Sequence, residues 1–171
     1  VDGDPFRLEF KEPEHSFERG SLNIRLMDTP EEQEKRLFNE KKIAAEEFAR
    51  VNRIDKIGFP KINSKIGLIA AGKNWLDLIH AFSLLGIDAR DAEELGITSY
   101  KIVQTWPIDR QSLLEWSDQL DLIIVVEEKR KIIETQVKDT LFSVGSKTRV
   151  YGGDKNDEKL FSDHGVLDPL D

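Results

Sequence analysis

A chain of 171 residues with 39% hydrophobic content is the size of a single domain and carries enough apolar side chains for one substantial core. A charged fraction of 34% and a net charge of −8 argue against a nucleic-acid partner, because few clusters of Lys and Arg are left to neutralise a phosphate backbone. The absence of cysteine excludes disulfides, Cys-ligated zinc and Cys-ligated iron–sulfur clusters within these residues, and it fits a reducing, cytoplasmic setting.

No run approaches the roughly 18 apolar residues of a membrane span, and the amino terminus lacks a secretory layout, so no membrane partner is expected. The chain starts at Val1 and its one methionine is Met27. It is therefore expected to be a fragment or a processed product, whose catalytic residues are free to lie on other segments.

Residues 1–28 carry Gly3, Pro5, Pro13 and Gly20, many charges and isolated aromatics at Phe6, Phe10 and Phe17. With no sustained period they read as an extended arm or linker. Thr29-Pro30-Glu31-Glu32 then supplies an N-cap, a proline preset at the first helical position and a glutamate three residues after the cap, which together start a helix. Leu37, Lys41, Ala44, Phe48 and Val51 form its inward stripe, and it should end near Asn52.

Beyond Pro60, Ile66 to Ala71 is a short apolar run followed by a turn at Gly72-Lys73-Asn74 and an apolar helix from Trp75 to Leu85 that stops at Gly86. A small helix capped by Asp88 and closed by Gly96 leads to a second strand within Ile97 to Thr105, ended by Pro107. Asp109 caps a helix through Leu113, Leu114 and Trp116. Leu122 to Val126 is apolar on both faces, as expected of a parallel strand covered by helices on each side. A last helix places Ile133, Val137, Leu141 and Val144 on one stripe before Gly145, and Arg149 to Tyr151 makes a short final strand.

This alternation predicts an α/β fold, a three-layer sandwich with a mostly parallel sheet over residues 29–171. Ligands and partners of such sheets meet the loops at the carboxyl ends of the strands. Those loops are Gly72-Lys73-Asn74, Thr105-Trp106-Pro107 and Glu127-Glu128-Lys129.

Each candidate at these loops has a plain alternative. Gly72 and Lys73 stand at a strand-to-helix junction, where N–H groups and an ammonium suit an anion. A P-loop fits poorly, because Gly67 lies inside the strand and Asn74 replaces the Ser or Thr. Glu127 and Glu128 follow the central strand, where a carboxylate serves either as a general acid or base or as a cap for the next helix. Gly152-Gly153-Asp154 with Asn156 resembles the magnesium-diphosphate elements of thiamine enzymes, but the Asn is too close, and a polar turn is the better reading. His15, His80 and His164 lack metal-ligand spacing, and His80 reads as a half-buried structural imidazole. No nucleophile elbow supports a triad.

Six strings occur in order: Gly20-Ser-Leu-Asn-Ile-Arg25, Asp28-Thr-Pro-Glu-Glu-Gln-Glu34, Phe48-Ala-Arg-Val-Asn52, Gly67-Leu-Ile-Ala-Ala-Gly-Lys73, Thr105-Trp-Pro107 and Val125-Val-Glu-Glu-Lys129. With the tail Asp163-His-Gly-Val-Leu-Asp-Pro169, they resemble the large indolepyruvate ferredoxin oxidoreductase family from about Gly20 to the end.

The resemblance implies a middle segment similar to the transketolase C-terminal-like domain, called domain II in pyruvate ferredoxin oxidoreductases. The parent would oxidatively decarboxylate indolepyruvate or a related aryl 2-oxoacid with coenzyme A as co-substrate. It would use thiamine diphosphate, magnesium and iron–sulfur clusters, and would pass electrons to ferredoxin. None of that machinery falls on a numbered position here, so the fragment is expected to be inactive, with no catalytic residue, metal or cofactor of its own. Its partners would be the other domains of the parent or further copies of itself. Thr105, Trp106, Glu127, Glu128 and Lys129 are the interface candidates. The alternative is a module that binds an anion, such as a phosphate of coenzyme A, through Gly72 and Lys73.

Overall fold

In the computed structural model the described residues are 10–12, 14, 17, 20, 22–155, 158–162 and 164–170. Contacts divide the chain into two compact units, Val1–Arg53 and Ile54–Asp171. The expected division fell after residue 28 instead. The difference arises because the long helical run groups with residues before it: the rings of Phe10 and Phe48 stand 5.2 Å apart, and Asn52 exchanges hydrogen bonds with the backbone of Lys11.

In the first unit, α1 (Pro30–Arg36) begins at the expected capping box, with Thr29 accepting from the Glu32 N–H and Glu32 accepting from the Thr29 N–H. A π-helical segment, Leu37–Lys41, separates it from α2 (Lys42–Asn52). The wider π turn shifts the helical register. That explains why Leu37, expected to face inward, is exposed while Arg36 is buried. Arg36 pairs with Asp28 and donates to the Asn23 carbonyl. The helix ends at Arg53, which adopts a left-handed conformation.

The second unit is built on a five-stranded sheet ordered β1 (Lys56–Ile57), β3 (Ile97–Ile102), β2 (Ile66–Ala71), β4 (Leu122–Val126) and β5 (Arg149–Tyr151). All pairings are parallel except that of the short edge strand β1, which the sequence pattern did not reveal. β3 stops at Ile102 because the N–H groups of Val103 and Gln104 turn to the Asp55 carboxylate. The connections run through α3 (Gly72–Leu84), α4 (Ala89–Glu94), α5 (Arg110–Ser117) and α6 (Ile132–Ser143). A small hairpin of β6 (Asp154–Lys155) and β7 (Glu158–Lys159) follows.

Travel along the sheet reverses after β3, so right-handed crossovers put α3 and α4 on one face and α5 and α6 on the other. The expected three layers and mostly parallel sheet are those of the structure. The two faces are covered unequally. Gly67, Ile69, Ile123 and Val125 point to α5 and α6 and are buried, in one core with Leu113, Trp116, Val137 and Leu141. On the α3 side, one residue out of phase, the small Ala70 and Ser99 are buried, but the larger Leu68, Leu122, Ile124 and Val126 are only half-buried.

Gly67 is demanded by the closed face. A Cβ there would stand 2.5 Å from the Trp116 ring, whose indole N–H donates to the Thr98 hydroxyl. On the open side, α3 buries Trp75 and Phe82 and leaves Leu76, Ile79, Leu84 and the C-capping Leu85 exposed. His80 is also exposed, rather than half-buried as expected. Val144 lies past the end of α6, so it leaves the predicted stripe and is exposed.

Candidate functional site

Parallel strands bring their carboxyl ends to one edge, and there a cavity of about 320 Å³ opens. Ala71, Gly72, Lys73 and Asn74 come from the end of β2 and the start of α3. Thr105 follows β3, and Val126, Glu127, Glu128, Ile132 and Ile133 come from the junction of β4 with α6. Of the residues picked out by sequence, Gly72, Lys73, Thr105, Glu127 and Glu128 thus share one cavity. Trp106 and Lys129 are exposed and do not line it. The three residues Gly72 to Asn74, expected as a turn before the helix, form the first turn of α3 itself.

Glu127 resolves in favour of the capping alternative. Its carboxylate accepts from the N–H groups of Ile132, Ile133 and Glu134 at 3.0–3.2 Å, and so closes the start of α6. Burial raises its carboxyl above the ordinary value, against the pull of these three N–H groups and with a smaller push from Glu134. Both carboxylate oxygens are thus engaged by backbone N–H groups.

Lys73 is equally engaged. Its ammonium stands 2.7 Å from Asp77 and 3.9 Å from Glu128, and it donates to the Leu167 carbonyl. Glu128 accepts from the Leu167 N–H at 3.1 Å and pairs with Lys129 at 3.6 Å. Lys73 and Glu128 therefore hold both backbone groups of Leu167, a buried residue of the carboxyl-terminal tail. This clasp spans 94 positions in sequence, and no local signal predicts it.

The Thr105 loop is held from α6. The Gln136 carboxamide donates to the Thr105 carbonyl at 2.9 Å and accepts from the Ile108 N–H at 3.3 Å. The Trp106–Pro107 peptide is cis, and Gln104 donates to the Pro107 carbonyl. Gln136 was not singled out by sequence, because a glutamine inside a helix has no distinguishing pattern.

Two groups of charges lie elsewhere. Asp55 accepts from Val103, Gln104 and the Tyr100 hydroxyl. Burial raises the Asp55 carboxyl, and burial with the nearby carboxylates of Asp55 and Asp109 raises the Tyr100 phenol. Glu134, buried in α6, pairs with Lys138 and accepts from the Gly153 N–H, so the Gly152-Gly153 turn is docked on a helix. Asp154 of that turn pairs with Lys131. Asn156 and His15 lie outside the described residues. Among the described residues no group of three or more His, Cys, Asp or Glu is arranged to hold a metal, and no helix is long and apolar enough to cross a membrane.

A family model described as an indolepyruvate oxidoreductase domain matches residues 56–171. No curated protein matches the chain. Similar solved structures include a split-gene transketolase in the form of an inactive beta4 tetramer, at 18% identity and TM-score 0.44, covering 60% of this chain and 33% of that one. Another is the 2-oxoglutarate:ferredoxin oxidoreductase from Magnetococcus marinus with 2-oxoglutarate, coenzyme A and succinyl-CoA bound. It has 16% identity and TM-score 0.46, and covers 72% of this chain and 20% of that one. This chain thus spans a third or less of the length of these structures.

Proposed function

This chain belongs to the indolepyruvate oxidoreductase domain family, and we propose that it acts as a non-catalytic interface domain. The parent would be a thiamine-diphosphate-dependent oxidoreductase that decarboxylates an aryl 2-oxoacid such as indolepyruvate to an acyl-CoA, with ferredoxin as electron acceptor. The observation that carries the interface role is the half-covered face of the sheet. Leu76 and Leu85 are 66% and 72% exposed, and on that side of the sheet Leu68, Leu122, Ile124 and Val126 are only half-buried, although Ala70 and Ser99 are covered. Apolar surface of this kind marks a contact with another domain or subunit.

The polar groups at the sheet mouth support the non-catalytic half of the reading. A general acid or base needs a free lone pair or proton facing a substrate. Glu127 gives its carboxylate to the start of α6, the Lys73 ammonium donates to the Leu167 carbonyl, and the Glu128 carboxylate accepts from the Leu167 N–H. Thiamine diphosphate and magnesium would be held by other segments of the parent.

Calorimetric titration of the 171-residue chain with thiamine diphosphate and magnesium tests this assignment. No heat of binding is expected, and no ferredoxin reduction on addition of indolepyruvate and coenzyme A. Saturable cofactor binding or turnover by the chain alone would overturn it.

A further inference from the structure

We propose that residues 164–170 form a releasable strap at the carboxyl edge of the sheet, docked through Leu167 and set free as ionic strength rises. The starting observation is how little of the strap is anchored. Leu167 is 5% exposed, whereas its apolar neighbours Val166 and Leu170 are 63% and 82% exposed. None of residues 164–170 belongs to a helix or strand. One buried leucine and the bonds to its backbone must therefore offset the ordering of a whole irregular segment, which leaves docking marginal.

The bonds that dock it are ionic on both sides. The Lys73 ammonium donates to the Leu167 carbonyl, and the Glu128 carboxylate accepts from the Leu167 N–H at 3.1 Å. Such charge-assisted bonds are stronger than neutral ones, but the Lys73 and Glu128 side chains keep 45% and 24% of their surface in water, where salt screens them. Each clasping group also has a second arrangement at hand. Lys73 stands 2.7 Å from Asp77, and Glu128 stands 3.6 Å from Lys129. Release leaves neither charge without a partner, so no buried unpaired ion holds the clasp shut. Gly165 supplies the pivot: it has φ 77°, a conformation that glycine adopts at no steric cost, and nothing stands within 4 Å of where its Cβ would be.

Release changes the mouth of the cavity. Lys73, after β2, and Glu128, after β4, both line it, and docked Leu167 bridges the two. In the released state they turn to Asp77 and Lys129, and the rim through which such sheets meet ligands and partners is no longer spanned by the tail. The strap is thus a switch between a bridged and an open mouth, set by the screening of two half-exposed charges. It stands apart from the interface assignment, since every contact it uses lies within the second unit.

The test is amide hydrogen exchange of the isotope-labelled 171-residue chain, followed by NMR at about 0.01 M and about 1 M sodium chloride, between which the Debye length falls from about 30 Å to about 3 Å. At low salt the Leu167 amide should be protected, but less than the amides of β2 in the middle of the sheet. At high salt its protection should fall by about three- to tenfold, the worth of one hydrogen bond, while that of β2 stays unchanged. Glu128→Gln and Lys73→Met should each lower Leu167 protection at low salt by a similar factor and reduce its dependence on salt. The proposal is overturned if the Leu167 amide exchanges freely at low salt, if its protection equals that of β2, so that the strap opens only with the whole unit, or if salt leaves its protection unchanged. The two salt conditions on the wild-type chain decide the matter even where a variant fails to fold.

Discussion

The two faces of the sheet are made from alternate residues of the same strands, yet they end differently. Ile69 and Ile123 are fully buried against α5 and α6, whereas their neighbours Leu68 and Ile124 are half-buried beside α3. A strand apolar on both sides is expected to be covered on both sides, and here the chain supplies only part of the second cover. The lesson is that hydrophobic patterning reports what a strand needs buried and not which molecule or domain buries it.

The largest effect should come from disturbing the closed face. Gly67→Ala places a methyl group against the Trp116 ring and 2.8 Å from Leu120, and should destabilise the second unit by about 3 kcal/mol, the upper part of the overpacking range. Denaturant unfolding followed by tryptophan fluorescence would report it. A loss below about 1 kcal/mol would mean that the face is looser than its burial implies.

A smaller effect is expected where the sheet mouth is stitched to α6. Glu127→Ala removes the acceptor for three N–H groups and should cost about 1–2 kcal/mol. Its thermal midpoint, compared with that of Glu127→Gln, separates loss of the cap from loss of charge. The open face should respond least to substitution: Leu76→Lys keeps helix propensity and should change stability by no more than about 0.5 kcal/mol. If the α3 surface is a contact face, the same variant should reduce concentration-dependent self-association in sedimentation.

The pH dependence is the subtlest sign of the contrast. Burial raises the carboxyls of Asp55 and Glu127, so the folded state holds their protons to higher pH than the unfolded chain does. Their contribution is complete below the ordinary carboxylate range and is lost as pH rises through the folded values. Asp88 and Glu32, lowered first by backbone hydrogen bonds, act in the opposite sense and lose their contribution as pH falls. Asp55→Asn should therefore flatten the decline of stability on the alkaline side of the carboxylate range, as read from melting curves across pH.

Much of this was legible in the chain. The bounds of β2, β4 and β5, the caps at Thr29, Asp88 and Asp109, and the convergence of the three strand-end loops all follow from local pattern. The strings from Gly67 to Lys129 fall within the family match, as the resemblance implied. What escaped depends on contacts distant in sequence. The clasp of Lys73 and Glu128 on Leu167, the support of Thr105 by Gln136 and the edge pairing of β1 have no period or motif. The π segment escaped for a different reason, since its heptad-like spacing of apolar residues is that of an ordinary helix.

The claim that one face of the sheet closes the fold and the other waits for a partner is tested most directly within a single strand. Leu68 and Ile69 are adjacent in β2 and point to opposite faces. Unfolding free energies of Leu68→Ala and Ile69→Ala, measured side by side, should differ clearly. Ile69→Ala should lose about 3–5 kcal/mol and Leu68→Ala less than about half as much. Equal losses would show both faces to be sealed by this chain alone, and would contradict the account.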